Sequence, residues 1–318
     1  MKTKLGLLLI YLFILGSSCN SQPKSFLAKF KFATQETAIK LITTEDVYTL
    51  GWSQFDIDSK GQTINNNRKD LFKFMSTQML GWPDEDSVTI INILKKIEQR
   101  IDSLGLKLNF PDEIYFIKST LKEESGAAGY TRSNYIVLNE KLVNNSSRDL
   151  EQLIIHELFH VLSRNDPKLR KSLYKIIGFE IMNGINFPDS IKNNILSNPD
   201  APLADSYIRL LKEKDTVECV MFLYSKKKYS KGVFFEYMNI GLLSLTNGSI
   251  KKPKLINNKP IIYTIDEVSD FYEQVGTNTG YIIDPEEVLA DNFVLMINQS
   301  KNLPSPWIIE QMKQEMKR

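Results

Sequence analysis

The sequence predicts an α+β protein in which helices predominate. Apolar residues recur at helical spacing in several long stretches, and the clearest of these runs from Asp84 to Leu104 and stops at Gly105. Shorter stretches rich in Ile, Val and Tyr lie between Gly and Asn turns, which is typical of strands. The 318 residues are 42% apolar and include 17 phenylalanines, so the chain can bury a substantial core.

The first residues have the features of a secretory signal. Two lysines precede an apolar run over residues 5–15, which is too short for an ordinary membrane span. Small residues then lead to Cys19, a pattern that resembles a bacterial lipobox with Gly16 in place of the usual aliphatic residue. We expect a signal peptide over residues 1–18 and a tether over residues 19–25, anchored by lipid on Cys19. The expected location is the bacterial cell envelope, at its periplasmic or outer-membrane face, or outside the cell without lipidation.

Cysteine content and charge exclude two other classes of protein. Cys219 is the only other cysteine, so a disulfide framework is not expected. Loss of Lys2 and Lys4 with the signal would leave 38 basic and 38 acidic side chains. Because there is no basic domain and no basic stripe interleaved with aromatic residues, we expect no nucleic-acid partner.

Two regions follow the tether. Residues 26–110 are predicted to be helical and to serve packing, and residues 111–318 are predicted to form a catalytic domain. This domain begins with short strands over residues 114–118 and 134–139, which predict a small antiparallel sheet beside the next helix. Small residues at 126–129 would let a peptide backbone approach closely, although a plain hairpin loop explains them equally well.

The two histidines of the chain lie in the stretch His156-Glu157-Leu158-Phe159-His160, which matches the H-E-x-x-H zinc signature. Residues four apart stand on the same face of a helix, so both imidazoles can bind one metal ion. The surrounding residues 146–164 begin with cap candidates at Ser146 and Ser147 and are apolar almost all round. This pattern predicts a helix buried through the middle of a domain.

Glu157 is predicted to act as a general base. It follows His156 by one position, which turns it about 100° away from the histidine face, so it is not expected to be a ligand. Zinc held by three protein ligands lowers the pKa of its water to about 7, and the carboxylate takes the proton as the water attacks a carbonyl. Hydrolysis of a peptide bond is the natural reaction of such a site.

Two histidines leave a tetrahedral zinc ion one protein ligand short, so a carboxylate must complete the site. Glu180 follows His160 at the interval seen in thermolysin-like enzymes, which the segment resembles in this respect, but Gly184 stands where those enzymes place an Asp. Glu287 is the favoured ligand, and Glu286 stays open as another.

The later helix carries a second motif. It begins at Pro285, and Glu287 and Asp291 resemble the E-x-x-A-D motif of the gluzincin superfamily, notably the CAAX-processing and related membrane zinc proteases. The resemblance implies a zincin-like domain with one Zn²⁺ per chain on His156, His160 and Glu287, while Asp291 accepts a hydrogen bond from a ligand histidine. A capping box between Asp284 and Glu287 explains the same residues without a metal.

The distance between the two motifs requires a sizeable insertion. Residues 165–215 are expected to be helix and loop, with a helix over residues 167–182 and a turn-rich stretch at Asn198-Pro199-Asp200-Ala201-Pro202. Residues from about 216 to 265 are β-branched and aromatic between Lys, Gly and Asn turns, which predicts a β-rich insertion. Further helices are predicted over residues 266–275, 285–298 and 306–317.

No third histidine is present to steady a developing oxyanion. Tyr281, six residues before Glu287, is the predicted donor, and Arg164 is a weaker candidate. A tyrosine packed against the core would explain Tyr281 without any catalytic role.

The sequence therefore predicts a membrane-tethered zinc metallopeptidase that acts on a peptide or protein. The alternative is a non-catalytic lipoprotein on the same scaffold, used for binding or assembly at the cell surface, with a structural or idle metal. Glu180 and Glu287 together on the metal would close the site and favour this alternative. A motif that arose by chance, with no metal, is the third possibility.

Overall fold

The computed structural model describes residues 25–61, 67–145 and 148–318, and it confirms the α+β class. The helices are α1 (Gln35–Thr43), α2 (Val47–Leu50), α3 (Gln54–Gly61), α4 (Arg68–Gln78), α5 (Asp84–Leu104), α6 (Glu140–Val143), α7 (Arg148–Asn165), α8 (Pro167–Ile176), α9 (Asp189–Lys192), α10 (Phe271–Val275), α11 (Pro285–Ile297) and α12 (Pro306–Glu315). The strands are β1 (Phe30–Phe32), β2 (Met79–Leu80), β3 (Ile114–Ser119), β4 (Gly129–Arg132), β5 (Tyr135–Asn139), β6 (Phe179–Ile181), β7 (Ser206–Lys212), β8 (Asp215–Tyr224), β9 (Asn239–Ser244), β10 (Leu255–Ile256), β11 (Lys259–Pro260) and β12 (Ile262–Tyr263).

Several features predicted from the sequence lie outside the described residues. These are the signal peptide, the lipidation site Cys19, all but the last residue of the tether, and the cap candidates Ser146 and Ser147. Within the described ranges, no helix combines the length and the apolar character needed to cross a membrane.

The first sheet has the strand order β1-β3-β5-β4, with β2 paired beside β3. β3 runs parallel to β1 and to β5, whereas β4 is antiparallel to β5. The prediction of an antiparallel sheet from residues 114–118 and 134–139 is therefore wrong, because these strands, β3 and β5, pair in parallel. The sequence pattern missed β4, which forms a tight hairpin with β5 through Ser133 and Asn134 and so reverses the chain before β5 begins.

The second sheet is antiparallel and has the order β12-β9-β8-β7-β6. It contains the predicted β-rich insertion but begins earlier, at β6, within residues that were expected to be helical. The helix predicted over residues 167–182 ends at Ile176, because Gly178 adopts a φ of +80° and turns the chain. A Cβ atom at Gly178 would also lie 2.4 Å from Oε1 of Gln274, so the position requires glycine.

The main hydrophobic core surrounds α7. Leu158 and Phe159 are fully buried, and the ring of Phe159 lies 5.6 Å from that of Phe293 on α11. The same core includes Ile97 of α5 and Met312 of α12, which come from distant parts of the chain. Close packing therefore holds the apolar faces of the histidine helix in place.

A cluster of buried charged and polar groups joins α2 and α3 to the connection between β3 and β4. The carboxylate of Glu124 accepts a hydrogen bond of 2.6 Å from the hydroxyl of Tyr48 and forms a buried ion pair with Lys60. Its neighbour Glu123 is also buried, and Ser119 donates to Oε1 of Glu123 over 3.0 Å. The other oxygen, Oε2, has no hydrogen-bond partner among the described residues. Burial raises the pKa of Glu123 to about 7.

This pKa predicts a pH-dependent effect of Glu123→Gln on stability. The folded state favours the protonated carboxyl, so its contribution is fully present below about pH 4.5 and is lost as the pH rises through 7. The free energy of unfolding of the variant minus that of the parent should therefore rise by about 3 kcal/mol between pH 4.5 and pH 8. Urea denaturation at both pH values measures this difference.

The matched control is Glu310→Gln, which changes an exposed glutamate on α12. The free energy of unfolding of this control should differ from that of the parent by the same amount at both pH values. If the difference between Glu123→Gln and the parent were also the same at both pH values, it would contradict the prediction.

Candidate metal centre

Helix α7 places both histidines on one face, as the spacing predicts. The rings of His156 and His160 have centroids 4.8 Å apart. His160 is fully buried, and the side chain of His156 is 14% exposed. His156 therefore lies at the open side of the site and His160 at its floor.

Helix α11 brings Glu287 and Asp291 to the same place. Oε2 of Glu287 lies 2.9 Å from Nε2 of His156 and 3.5 Å from Nε2 of His160. Oδ1 of Asp291 lies 3.0 Å from Nδ1 of His156. Asp284 caps α11 by accepting from the backbone N–H of Glu286, and the side chain of Glu287 contacts the histidines instead of forming a capping box. The structure thus joins both sequence motifs across the insertion.

Glu286 lies on the other side of His160. Its Oε1 is 3.5 Å from Nδ1 of His160, and its Oε2 accepts hydrogen bonds from Ser163 over 3.0 Å and from Tyr174 over 2.6 Å. Burial opposes ionisation of Glu286, but His160 and the nearby Arg170 outweigh it and hold its pKa below the usual value. Glu286, which the sequence left open as a ligand, is therefore placed to orient His160 through its second ring nitrogen.

Glu157 lies beside the ligand set, with a carboxylate oxygen within 4.8 Å of a ring nitrogen of His160, and it is held by the sheet. The hydroxyl of Thr131 on β4 donates to Oε2 of Glu157 over 2.6 Å. The side chain is buried, and burial raises the pKa of Glu157 above its usual value although the charges of both histidines oppose this. Thr131 was not anticipated, because β4 itself was missed.

Two further residues that sequence reasoning missed reach the site from the turn-rich stretch before β7. Nδ2 of Asn198 donates to Oε1 of Glu287 over 2.6 Å. Ligand atoms of Asp200, Glu157 and His160 lie within 4.8 Å of one another. Burial, reinforced by the charge of Glu157, raises the pKa of Asp200 well above its usual value. The sequence indicates only that residues 198–202 form a turn, and a turn motif does not predict which part of the fold the loop contacts.

The other candidates lie elsewhere. Glu180 is on β6, where it bonds to Tyr207 over 2.8 Å and pairs with Arg209 at the surface, so it does not reach the histidines. Tyr281 stands at the rim, 43% exposed, with its ring 6.3 Å from that of His156. Arg164 donates to backbone carbonyls of the loop and not into the site.

The donor set fits a metal ion of the zinc type. Ligand atoms of His156, His160 and Glu287 lie within 4.8 Å of one another. Atoms bound to a tetrahedral zinc lie roughly 3.3 Å apart, close to the distances from Glu287 to both histidines. Carboxylate oxygens of Glu286 and Glu287 lie 3.5 Å from the two ring nitrogens of the buried His160, but neither nitrogen makes a hydrogen bond of good geometry among the described residues. A metal ion on Nε2 would engage this nitrogen.

The charges and hydrogen bonds within this set shift the pKa values of its members. Burial would lower the pKa of His156, but the hydrogen bonds to Asp291 and Glu287 outweigh it and raise that pKa to about 10. Burial would raise the pKa of Glu287, but the charges of His160 and His156 hold it well below its usual range. A cation among these groups would satisfy the carboxylate in place of the imidazolium protons.

Comparison with known proteins gives one partial similarity. Residues 118–168 match a family model described as the eCIS core domain. The matched stretch runs from the end of β3 through α7 into α8, so it contains both histidines and Glu157 but neither Asp200 nor Glu287. No curated protein and no solved structure matches the chain.

Proposed function

We propose that the protein is a zinc-dependent metallopeptidase with a gluzincin-like site. The observation that carries the proposal is the convergence of His156, His160 and Glu287, with Glu157 beside this set but outside it. Three protein ligands leave a position open for substrate or water, which is the arrangement of catalytic rather than structural zinc sites. The expected content is one Zn²⁺ per chain.

Zinc bound there would polarise a carbonyl and lower the pKa of a water molecule. The chain's own residues would manage the protons. Thr131 engages Oε2 of Glu157, so Oε1 is the oxygen left to accept a proton from water as the water oxygen bonds to the carbonyl carbon. The raised pKa of Glu157 favours this first transfer, in which the carboxylate acts as a base. Glu157 would then return the proton to the amide nitrogen as the C–N bond breaks.

Strand β4 is suited to bind an extended peptide substrate. It ends the strand order of the first sheet, and the backbone N–H of Thr131 is directed away from β5. Gly129 packs closely on α7 and β5, where a Cβ atom would lie 2.9 Å from the carbonyl oxygen of Val137. A cavity of about 70 Å³ beside this strand could receive a small apolar side chain; its lining includes Leu223, Phe234, Met238, Tyr281 and Ile283.

Two other parts of the proposal come from the sequence. Tyr281 at the rim is the proposed donor to the oxyanion, and Cys19 is the proposed lipid anchor in the bacterial cell envelope. The partners would be a peptide or protein substrate and the membrane, with no nucleic acid.

The alternative function is a binding or assembly lipoprotein with a structural or idle metal. One observation favours it, because a carboxylate oxygen of Asp200 lies within 4.8 Å of His160, which makes Asp200 a candidate fourth ligand. A metal with four protein ligands has no position open for water.

Replacement of Glu157 by Gln tests the proposed base. The full-length protein should keep about one zinc per chain, because Glu157 is not a ligand, while cleavage of a peptide library should fall by about 100-fold or more. Glu151→Gln on the same helix is the control; its carboxylate pairs with Arg100 away from the site, and it should cleave as the parent does. Full cleavage by Glu157→Gln, or loss of its zinc, would contradict the assignment.

Replacement of two glutamates by Ala tests the third ligand. Glu287→Ala should weaken zinc binding by more than the 10–100-fold typical of outer-shell partners. Glu180→Ala should leave zinc binding unchanged, since Glu180 is occupied with Arg209 at the surface. Competition with a chromogenic chelator measures both dissociation constants. Equal zinc affinities of the two variants would contradict the assignment of Glu287 as a metal ligand.

A further inference from the structure

The segment Asn198–Asp200, termed the strap, crosses the site at the sheet edge. Oδ1 of Asp200 accepts a hydrogen bond of 2.6 Å from the backbone N–H of Thr131 on β4. This N–H is the outward donor that an added strand would use. Because one N–H serves one good acceptor, the carboxylate of Asp200 and the backbone of a substrate compete for it.

The strap also contacts the groups proposed for chemistry. Asn198 donates to Oε1 of Glu287 over 2.6 Å, which engages the carboxylate proposed to bind zinc. The carboxylate of Asp200 approaches His160 and the base Glu157. Three separate parts of the site, the sheet edge, a ligand and the base, are thus contacted by two residues of the strap, Asn198 and Asp200.

Arg164 holds the strap in this position from outside the site. Its guanidinium donates to the carbonyl of Asp200 over 2.9 Å, to that of Pro199 over 3.5 Å and to that of Ser133 over 3.2 Å. The backbone N–H of Asp200 donates to Oδ1 of Asn198 over 3.0 Å, which closes the strap into a turn. The strap is therefore preformed and is fastened to the hairpin that carries the sheet edge.

Space is available for the strap to withdraw. Asn198 and the following residues Ala201, Pro202 and Leu203 also border a cavity of about 550 Å³, which has Trp52 in its lining. Each contact that fastens the strap is a hydrogen bond with a side chain on at least one side, and these bonds can break without disturbing the main core.

We propose that the strap occupies the substrate position and that this structure is a latent state, in which peptide binding at β4 requires withdrawal of Asp200. This inference rests on the proposed function for the identity of the ligand. It assigns Asp200 to regulation of access, and it assigns Arg164 to fastening the strap rather than to the oxyanion.

The proposal is tested with Arg164→Gln and Asp200→Ala in the full-length protein. Arg164→Gln leaves every group near the metal unchanged, and Asp200→Ala removes the competing carboxylate. Asp189→Ala, an exposed change on α9 shortly before the strap, is the control. Circular dichroism confirms that each variant is folded.

Two readouts do not depend on hydrolysis. Amide hydrogen exchange in residues 129–132 of the metal-free protein should be about tenfold faster in both variants, as expected on loss of one hydrogen bond to a charged group. Zinc uptake and zinc removal by a chelator should both be faster, with a nearly unchanged dissociation constant. The control should match the parent in every measurement.

The outcomes separate the two proposals. Asp200 would be a permanent ligand if Asp200→Ala bound zinc more weakly at an unchanged rate of uptake while Arg164→Gln behaved as the parent does. This result would overturn the latent-state proposal. Unchanged hydrogen exchange in both variants would also overturn it. Faster hydrogen exchange in both variants, with no cleavage of a peptide library by the parent or by either variant, would support the latent-state proposal and contradict the proposed peptidase activity. Faster exchange with increased cleavage would support both.

Discussion

The packing of α7 against α11 is the contact on which the site depends. His156 and His160 on one helix meet Glu287 and Asp291 on the other, although the chain between them forms an entire sheet. Phe159 and Phe293 fill this interface with buried aromatic rings. Because the interface lies in the main core, a change in the angle between the helices would weaken the packing and would also separate the groups of the site.

Burial of many charges in a small volume is the second constraint. Five carboxylates surround two imidazoles: Glu157, Asp200, Glu286, Glu287 and Asp291. An ionised group is costly to bury unless it is paired. Arg170 lies 3.6 Å from Glu286, and burial raises the pKa of Glu157 and of Asp200, which favours their neutral forms. A divalent cation bound there would take the place of protons on these carboxyl and imidazole groups, so the charge of the site is compatible with the proposed metal.

Sequence patterns predicted the helices whose apolar residues recur at regular spacing. The helices around Ile97, His156 and Glu287 follow from apolar spacing, from Pro285 as a helix start and from the two motifs. The strand after Gly178 was missed because one glycine ends a pattern that otherwise continues as a helix. Asn198 and Asp200 could not be placed, because a loop has no period and their partners Glu287 and Thr131 are distant in the chain. The parallel pairing of β3 and β5 was not predicted, because β4 reverses the chain between them and this four-residue strand is too short to be recognised from the sequence.

The second sheet comes between α7 and α11 in the sequence and contributes Leu223 to the small cavity, and the loop between β8 and β9 adds Phe234 and Met238. Neither the histidines nor their carboxylate partners come from it. Under the proposed function, the residues that select the peptide and the residues that bind the metal would lie in different stretches of the chain. Substitutions or length changes in the second sheet would then alter which peptide fits while α7 and α11 stay in register. The small cavity and the metal site could change independently of each other.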